Sequence, residues 1–461
     1  MSADHHFPRY HLRPPTGYVN DPNGPVRIDG RWHLYFQYTH DTAHTGSVVW
    51  GHASSADLVS WRYHRPAMSP QPYGADRNGC WSGNTVVTDD GVVAFYSGMR
   101  QGHRYQSVLS ALSTDGGESF GPPHQVVADP EPSEQVEQFR DPFVWREDGR
   151  WSMLVGAGAV LGGPSARLYT SDDLEKWAYH GSFATPNERV GLGDMWECPQ
   201  LVSFGDREAL LVSAYEFDRS AANRVLAVTG HRSGHELIPE WVGKVDAGPD
   251  FYAASVLREG GDGPIMWGWV TESRAADWTH EADWSGMISL PRTVSLTPDG
   301  RLASAPVEAL TTLREEEIGR SVPAQFEVEL ELSGHRGERT RMSLGTSAGE
   351  RLDVVVDWAT GQVRIDRDQA SRDPRAEGGS YTFDEPEILS TGTMSLRWFV
   401  DGSVGELFTG SGRSATVRFY PTEPPPWTLS LSGLTATDEV HVWRLWDSGH
   451  AGRRTRSEGC P

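Results

Sequence analysis

The sequence predicts an all-β protein, a five-bladed β-propeller followed by a C-terminal β-sandwich. Three observations predict it. Five segments open alike: Asn20-Asp21-Pro22-Asn23-Gly24, Trp81-Ser82-Gly83-Asn84, Arg140-Asp141-Pro142, Glu197-Cys198-Pro199 and Asp250-Phe251-Tyr252 each lead into two short apolar runs. Taking Asp21, Ser82, Asp141, Glu197 and Asp250 as landmarks, the steps are 61, 59, 56 and 53 residues, close to the length of one four-stranded blade. A second repeat in the same register places a polar turn before an aromatic, at Ser54 to Trp61, Ser113 to Phe120 and Thr170 to Trp177. After Pro291-Arg292 the pattern changes to plain alternating strands separated by tight turns, the pattern of a sandwich.

Taken in chain order, residues 1–303 form the propeller and 304–320 a linker. That linker holds the one stretch that reads as a short helix, from Ala305 to Glu317. Residues 321–447 form the sandwich, with strands expected at 326–332, 352–356, 394–399, 404–408 and 440–446. Turns such as Trp358-Ala359-Thr360-Gly361 and Val400-Asp401-Gly402 separate them. Residues 448–461 lack apolar periodicity and read as a disordered tail.

A chain of 461 residues is long enough for two domains. Its formal charge of −22 repels phosphodiester backbones and anionic lipid, which argues against nucleic-acid and membrane partners and is compatible with a neutral polyol. Eighteen Trp, fifty Gly and thirty Pro suit a turn-rich β protein with aromatic-lined clefts. Three cysteines, Cys80, Cys198 and Cys460, cannot all pair and read as reduced thiols. The start MSADHHFPRYHLRPP has no apolar signal-peptide core, so a cytoplasmic address is expected. The sequence leaves the oligomeric state open.

In a propeller the opening strand of each blade lines the central axis. Asp21, Asp141 and Glu197 are therefore expected in one pocket. Two carboxylates facing each other are what glycoside cleavage requires, one to attack or position water and one to protonate the departing oxygen. An isolated Asp-Pro marks only a turn capped by its own side chain, but three carboxylates at equivalent places in a repeat point beyond that. Two Asn beside Asp21 favour its ionised form, Arg140 can fork onto vicinal hydroxyls and keep Asp141 charged, and the Cys-Pro after Glu197 favours a proton held longer there. Cys198 reads as a packing residue, His5-His6 as a solvated terminus and His52 as a satisfied strand residue. No zinc spacing, phosphate loop or Rossmann fingerprint is visible, so no metal or cofactor is expected.

These residues resemble glycoside hydrolase family 32, the β-fructofuranosidases that include invertases, sucrose-6-phosphate hydrolases, levanases and exo-inulinases. The resemblance runs through Asn20 to Gly24, Tyr35-Phe36-Gln37-Tyr38, Trp50-Gly51-His52, Trp81-Ser82-Gly83, Phe139-Arg140-Asp141-Pro142, Trp196-Glu197-Cys198-Pro199 and Asp246 to Tyr252, and on to Phe399 to Phe408 and Phe419-Tyr420-Pro421 in the sandwich. It implies hydrolysis with retention, Asp21 as nucleophile, Glu197 as acid and base, and Asp141 with Arg140 gripping the fructose hydroxyls. It further implies Asn20, Gln37, Trp81 and Ser82 around the fructose ring and Asp250 near its rim, on sucrose or short fructo-oligosaccharides. Sucrose-6-phosphate, levan or inulin ends, fructosyl transfer and a non-catalytic sugar-binding propeller are the alternatives. Two departures concern the leaving-group side. Tyr18 stands where the family often has Trp, and a Trp-Gly-Asn before Trp50 is missing, so Trp278 or Trp284 is a candidate platform. For a phosphorylated sugar, His44, Arg77, Arg100, His103 and Arg104 are the candidate cations.

Overall fold

A computed structural model describes residues 4–446 except 44–45, 103–104, 128, 132–135, 160–161, 185–192, 219–223, 262 and 336. The expected tail with Cys460, and His44, His103 and Arg104, lie outside the described residues. The regular secondary structure of the described residues is almost all β-strand, arranged as successive antiparallel meanders and then two six-stranded sheets. The meanders open with strands Gly17–Ile28, Gly79–Thr88, Gln138–Glu147, Met195–Phe204 and Phe251–Leu257. Among the described residues no helix is long and apolar enough to cross a membrane.

The turn repeat has a physical basis. Ser55 Oγ accepts from the amides of Asp57 and Leu58, and Asp57 Oδ1 from those of Val59 and Ser60. Ser171 and Asp173 repeat the arrangement, so each turn satisfies its own backbone. The aromatic that follows packs on the preceding meander: Phe120 on Tyr35 and Trp50, and Trp177 on Phe95. Trp61 of the first meander meets Trp267 of the last at 6.5 Å, which joins the two ends of the series. Gly17 and Tyr18 complete that seam by pairing in parallel with Trp284 and Ser285.

The stretch expected as a helix is something else. Strand Leu302–Pro306 pairs with Arg292–Leu296 as the outer strand of the last meander. A 3₁₀ turn, Glu308–Leu313, follows. Arg314–Glu317 then pairs with Glu439–Leu445 in the sandwich. Thr311 and Thr312 turn their hydroxyls back onto the carbonyls of Glu308 and Ala309, a local bond that competes with helix propagation.

The sandwich core is an apolar buried cluster including Phe326, Val328, Val354, Ile365, Trp398 and Trp427. Seven strands of the two sandwich sheets, including Gln362–Gln369, Ser380–Asp384 and Ser414–Arg418, fall outside the expected runs. Charged residues interrupt the apolar alternation in Gln362–Gln369, and Ser414–Arg418 is buried on both faces although it carries Ser, Thr and Arg. The junction with the meanders is built from buried charge. Arg292, fully buried, donates to Asp246 (2.8 Å) and Glu406 (2.6 Å) and lies 4.3 Å over the Phe251 ring. An N-terminal strap crosses the same junction. His11 is buried with Nδ1 at 2.9 Å from Asp401 and Nε2 at 3.0 Å from Glu406, and the amides of Arg9, Tyr10 and His11 donate to Asp401. His6, expected in solvent, is buried at 4% exposure, with Nε2 2.8 Å from the Pro421 carbonyl, because the strap docks on the sandwich.

Candidate active site

Each opening strand breaks register with its neighbour at one depth. The breaks fall between Val19 and Pro22, Cys80 and Gly83, Arg140 and Phe143, Glu197 and Gln200, and Tyr252 and Ser255. Each break is a β-bulge, which turns side chains away from the pleat. Asp141, Cys198 and Ala253 lead their bulges with φ of 65°, 47° and 48° respectively. These three are thus structural equivalents, and Cys198 rather than Glu197 is the counterpart of Asp141. The residues one step earlier, Arg140, Glu197 and Tyr252, then stand side by side on successive strands. Arg140 Nε and Nη2 donate to Glu197 Oε1 at 3.0 and 2.6 Å, and the Tyr252 hydroxyl donates to Oε2 at 2.6 Å.

Asp21 is held from the other side. Asn20 Nδ2 donates to Oδ1 (3.2 Å), and Oδ2 receives Gln37 Nε2 (3.1 Å) and Ser82 Oγ (2.5 Å), while Gln37 also donates to Ser82 Oγ. Asp141 lies deeper, at 4% exposure. Its amide donates to Ser97 Oγ (2.7 Å) and its Oδ2 accepts from the Cys198 amide (3.1 Å). The Cys198 thiol sits between the two aspartates, 3.7 Å from Asp21 and 3.6 Å from Asp141. Burial first, then the charges of Asp141, Asp21 and Glu197, push that thiol far up, so it stays protonated and is no nucleophile.

The charge states differ from the sequence expectation. Burial raises Asp21 to about 6; the Ser82 hydroxyl opposes the rise and the Glu197 charge adds to it. Asp141 is also raised, by burial foremost. Arg140 opposes that rise without cancelling it, because it forks onto Glu197 and comes only to 4.0 Å from Asp141.

These groups line a cavity of about 700 Å³. Asn20, Gln37, Trp81, Ser82 and Arg140 line it, together with all three carboxylates. Asp250 borders it too, but its carboxylate is not free for a sugar. Oδ1 accepts from Ser273 (2.6 Å) and Thr271 (3.4 Å), and Oδ2 from Arg367 (2.6 Å) and the Arg418 amide (2.7 Å). Four donors fill the roughly four acceptor positions of a carboxylate, so Asp250 fastens the last meander to the sandwich.

Neither Trp278 nor Trp284 is among the residues that line the cavity. Trp284 is fully buried and Trp278 packs on Tyr420 and His6, whereas Trp269 and Tyr18 face the cavity, edge to face at 6.0 Å. Tyr252 stands in the Asp250-Phe251-Tyr252 motif, where nothing local marks its hydroxyl for Glu197. Arg367, Glu377 and Tyr381 reach the cavity from the sandwich, with no local pattern to mark them. Arg77 and Arg100 are not among the described residues that line it.

Comparison with known proteins agrees along the chain. The family model described as the glycosyl hydrolases family 32 N-terminal domain matches residues 11–306, and the one described as the family 32 C terminal matches 301–444. A raffinose invertase of Escherichia coli is 31% identical over 445 residues, covering 90% of this chain and 90% of that one. The sucrose-6-phosphate hydrolase of Bacillus subtilis is 28% identical over 472 residues, covering 96% and 95%. Among solved structures, a Bombyx mori beta-fructofuranosidase superposes with TM-score 0.81 at 26% identity over 96% of this chain and 95% of that one. The sucrose-6-phosphate hydrolase from Lactobacillus gasseri shares the fold at TM-score 0.83 and 24% identity, covering 97% and 94%.

Proposed function

The chain belongs to glycosyl hydrolase family 32 and is a glycoside hydrolase, and from that premise we propose a retaining β-fructofuranosidase that removes terminal non-reducing β-D-fructofuranosyl units from sucrose or short fructo-oligosaccharides. The five meanders are read as five blades around one axis, with Asp21 and Glu197 facing each other across it. Asp21 attacks the anomeric carbon as Glu197 protonates the departing oxygen. Glu197 then takes a proton from the water that releases fructose. Arg140 and Tyr252 hold one Glu197 oxygen each and fix the plane of its carboxyl group. Asp141 accepts from fructose hydroxyls, bonds that strengthen as positive charge builds on the ring.

The observation that carries this reading is the three-residue row Arg140, Glu197 and Tyr252 opposite the Asn20, Gln37 and Ser82 cradle of Asp21. The charge of the cavity favours an unphosphorylated leaving group. Among the described residues seven carboxylates and two guanidiniums border it, and both guanidiniums are committed, Arg140 to Glu197 and Arg367 to Asp250. A phosphate would meet net negative charge. Initial rates on sucrose, sucrose-6-phosphate, kestose, inulin and levan test the order, with sucrose or kestose expected first. Proton NMR of fresh product should show β-fructofuranose, and first-formed α-fructofuranose would sink retention.

The pH profile follows from Asp21. The nucleophile must be ionised, and its raised value means that the competent form is lost as pH falls through about 6. We expect kcat/KM to drop on the acid side with a midpoint near there, since this parameter reports the free enzyme. A profile flat down to pH 4.5 would show that Asp21 is not the group titrating.

A further inference from the structure

The sandwich does more than pack behind the catalytic meanders. Its segment 373–377 pairs with the backbone of the last meander: the Ala275 amide donates to the Arg375 carbonyl at 2.8 Å, the Glu377 amide donates to the Ser273 carbonyl at 2.9 Å, and Arg274 bridges Ala376 between them. Arg375 clamps the outside of this join, donating to Glu281 at 3.0 Å and lying 5.0 Å over the Trp278 ring. The backbone of Glu377 is therefore fixed to the catalytic domain. Its side chain is left 71% exposed at the cavity wall, with the Arg367 guanidinium at 3.8 Å, beyond hydrogen-bond length.

The position relative to the chemistry is set by a short chain of contacts. The Tyr252 hydroxyl holds Glu197, Asp250 lies two residues before Tyr252, and Asp250 binds the Arg367 that neighbours Glu377. Glu377 thus stands on the acid's side of the cavity, the side on which the leaving oxygen departs. A carboxylate with open acceptor positions, on a pinned backbone, suits a pair of sugar hydroxyls.

Building on the fructosidase reading, we propose that Glu377 is a specificity residue for the leaving group. It accepts hydroxyl hydrogen bonds from a neutral hexosyl unit, so the sandwich supplies one wall of the substrate site. The assignment concerns binding beyond the scissile bond, not the proton transfers.

The test compares sucrose with methyl β-D-fructofuranoside, whose leaving group is too small to carry such hydroxyls. In Glu377→Ala the ratio of kcat/KM on sucrose to kcat/KM on the methyl glycoside should fall about tenfold or more, the size of a lost hydrogen bond to a charged group. The loss should be expressed mainly as a higher KM for sucrose. Glu377→Gln, which keeps one acceptor oxygen, should recover part of the ratio. An unchanged ratio, whether both rates fall together or neither moves, overturns the proposal while leaving the fructosidase reading intact. A wild-type enzyme that hydrolyses neither glycoside overturns both.

Discussion

Glu197→Gln is expected to slow turnover on sucrose by about 10² to 10⁴-fold, the contribution of a positioned general acid, while sucrose still binds. The amide oxygen can keep the two Arg140 donors, and its NH₂ can turn toward the Tyr252 oxygen, so the cavity retains its shape. What disappears is the proton. A fructoside with an activated leaving group needs little protonation, and the variant should recover much of the lost fructosylation rate on it. Equal impairment on activated and natural substrates would assign Glu197 another role.

Arg292→Leu is expected to destabilise the folded protein by about 3–5 kcal/mol, the cost of removing one partner from a buried ion pair. Two carboxylates, Asp246 and Glu406, would stay buried without their cation, and the hydroxyl oxygens of Ser414 and Thr416 would lose the guanidinium N–H groups that donate to them. Leucine still fills the space between Phe251 and Phe408, so the loss isolates charge from packing. Urea midpoints of the two proteins measure it. A change below about 1 kcal/mol, the usual worth of an exposed pair, would mean that the junction is hydrated or that the acids are protonated.

Much of the site was legible because its geometry is local. Asp141-Pro142 and Cys198-Pro199 mark bulges in their own strands, and a bulge at one depth in every opening strand brings their neighbours to one cavity. What failed to show was anything set by contacts between strands distant in sequence. Aligning Glu197 with Asp141 was off by one residue, and that single step hid the partnership of Arg140 with Glu197. Asp250 looked like its counterparts Asp21 and Asp141, yet Arg367 and the Arg418 amide had claimed it. The rise of Asp21 and Asp141 comes from burial, which a motif does not encode. His6 was misjudged for the same reason, since only the docked strap buries it.

The seam that pairs Gly17 and Tyr18 with Trp284 and Ser285 joins the two ends of the series of meanders. Every meander can form from neighbouring chain, but this pairing must wait for a loop that spans the whole series, and contacts of such separation form late. Asp21 stands just beyond that seam on the same strand, whereas Glu197 belongs to the fourth meander. A chain arrested before closure would keep nearly all its strand hydrogen bonds and still hold Asp21 out of place. Circular dichroism would count such a molecule as folded, and only catalysis would tell it from the finished one.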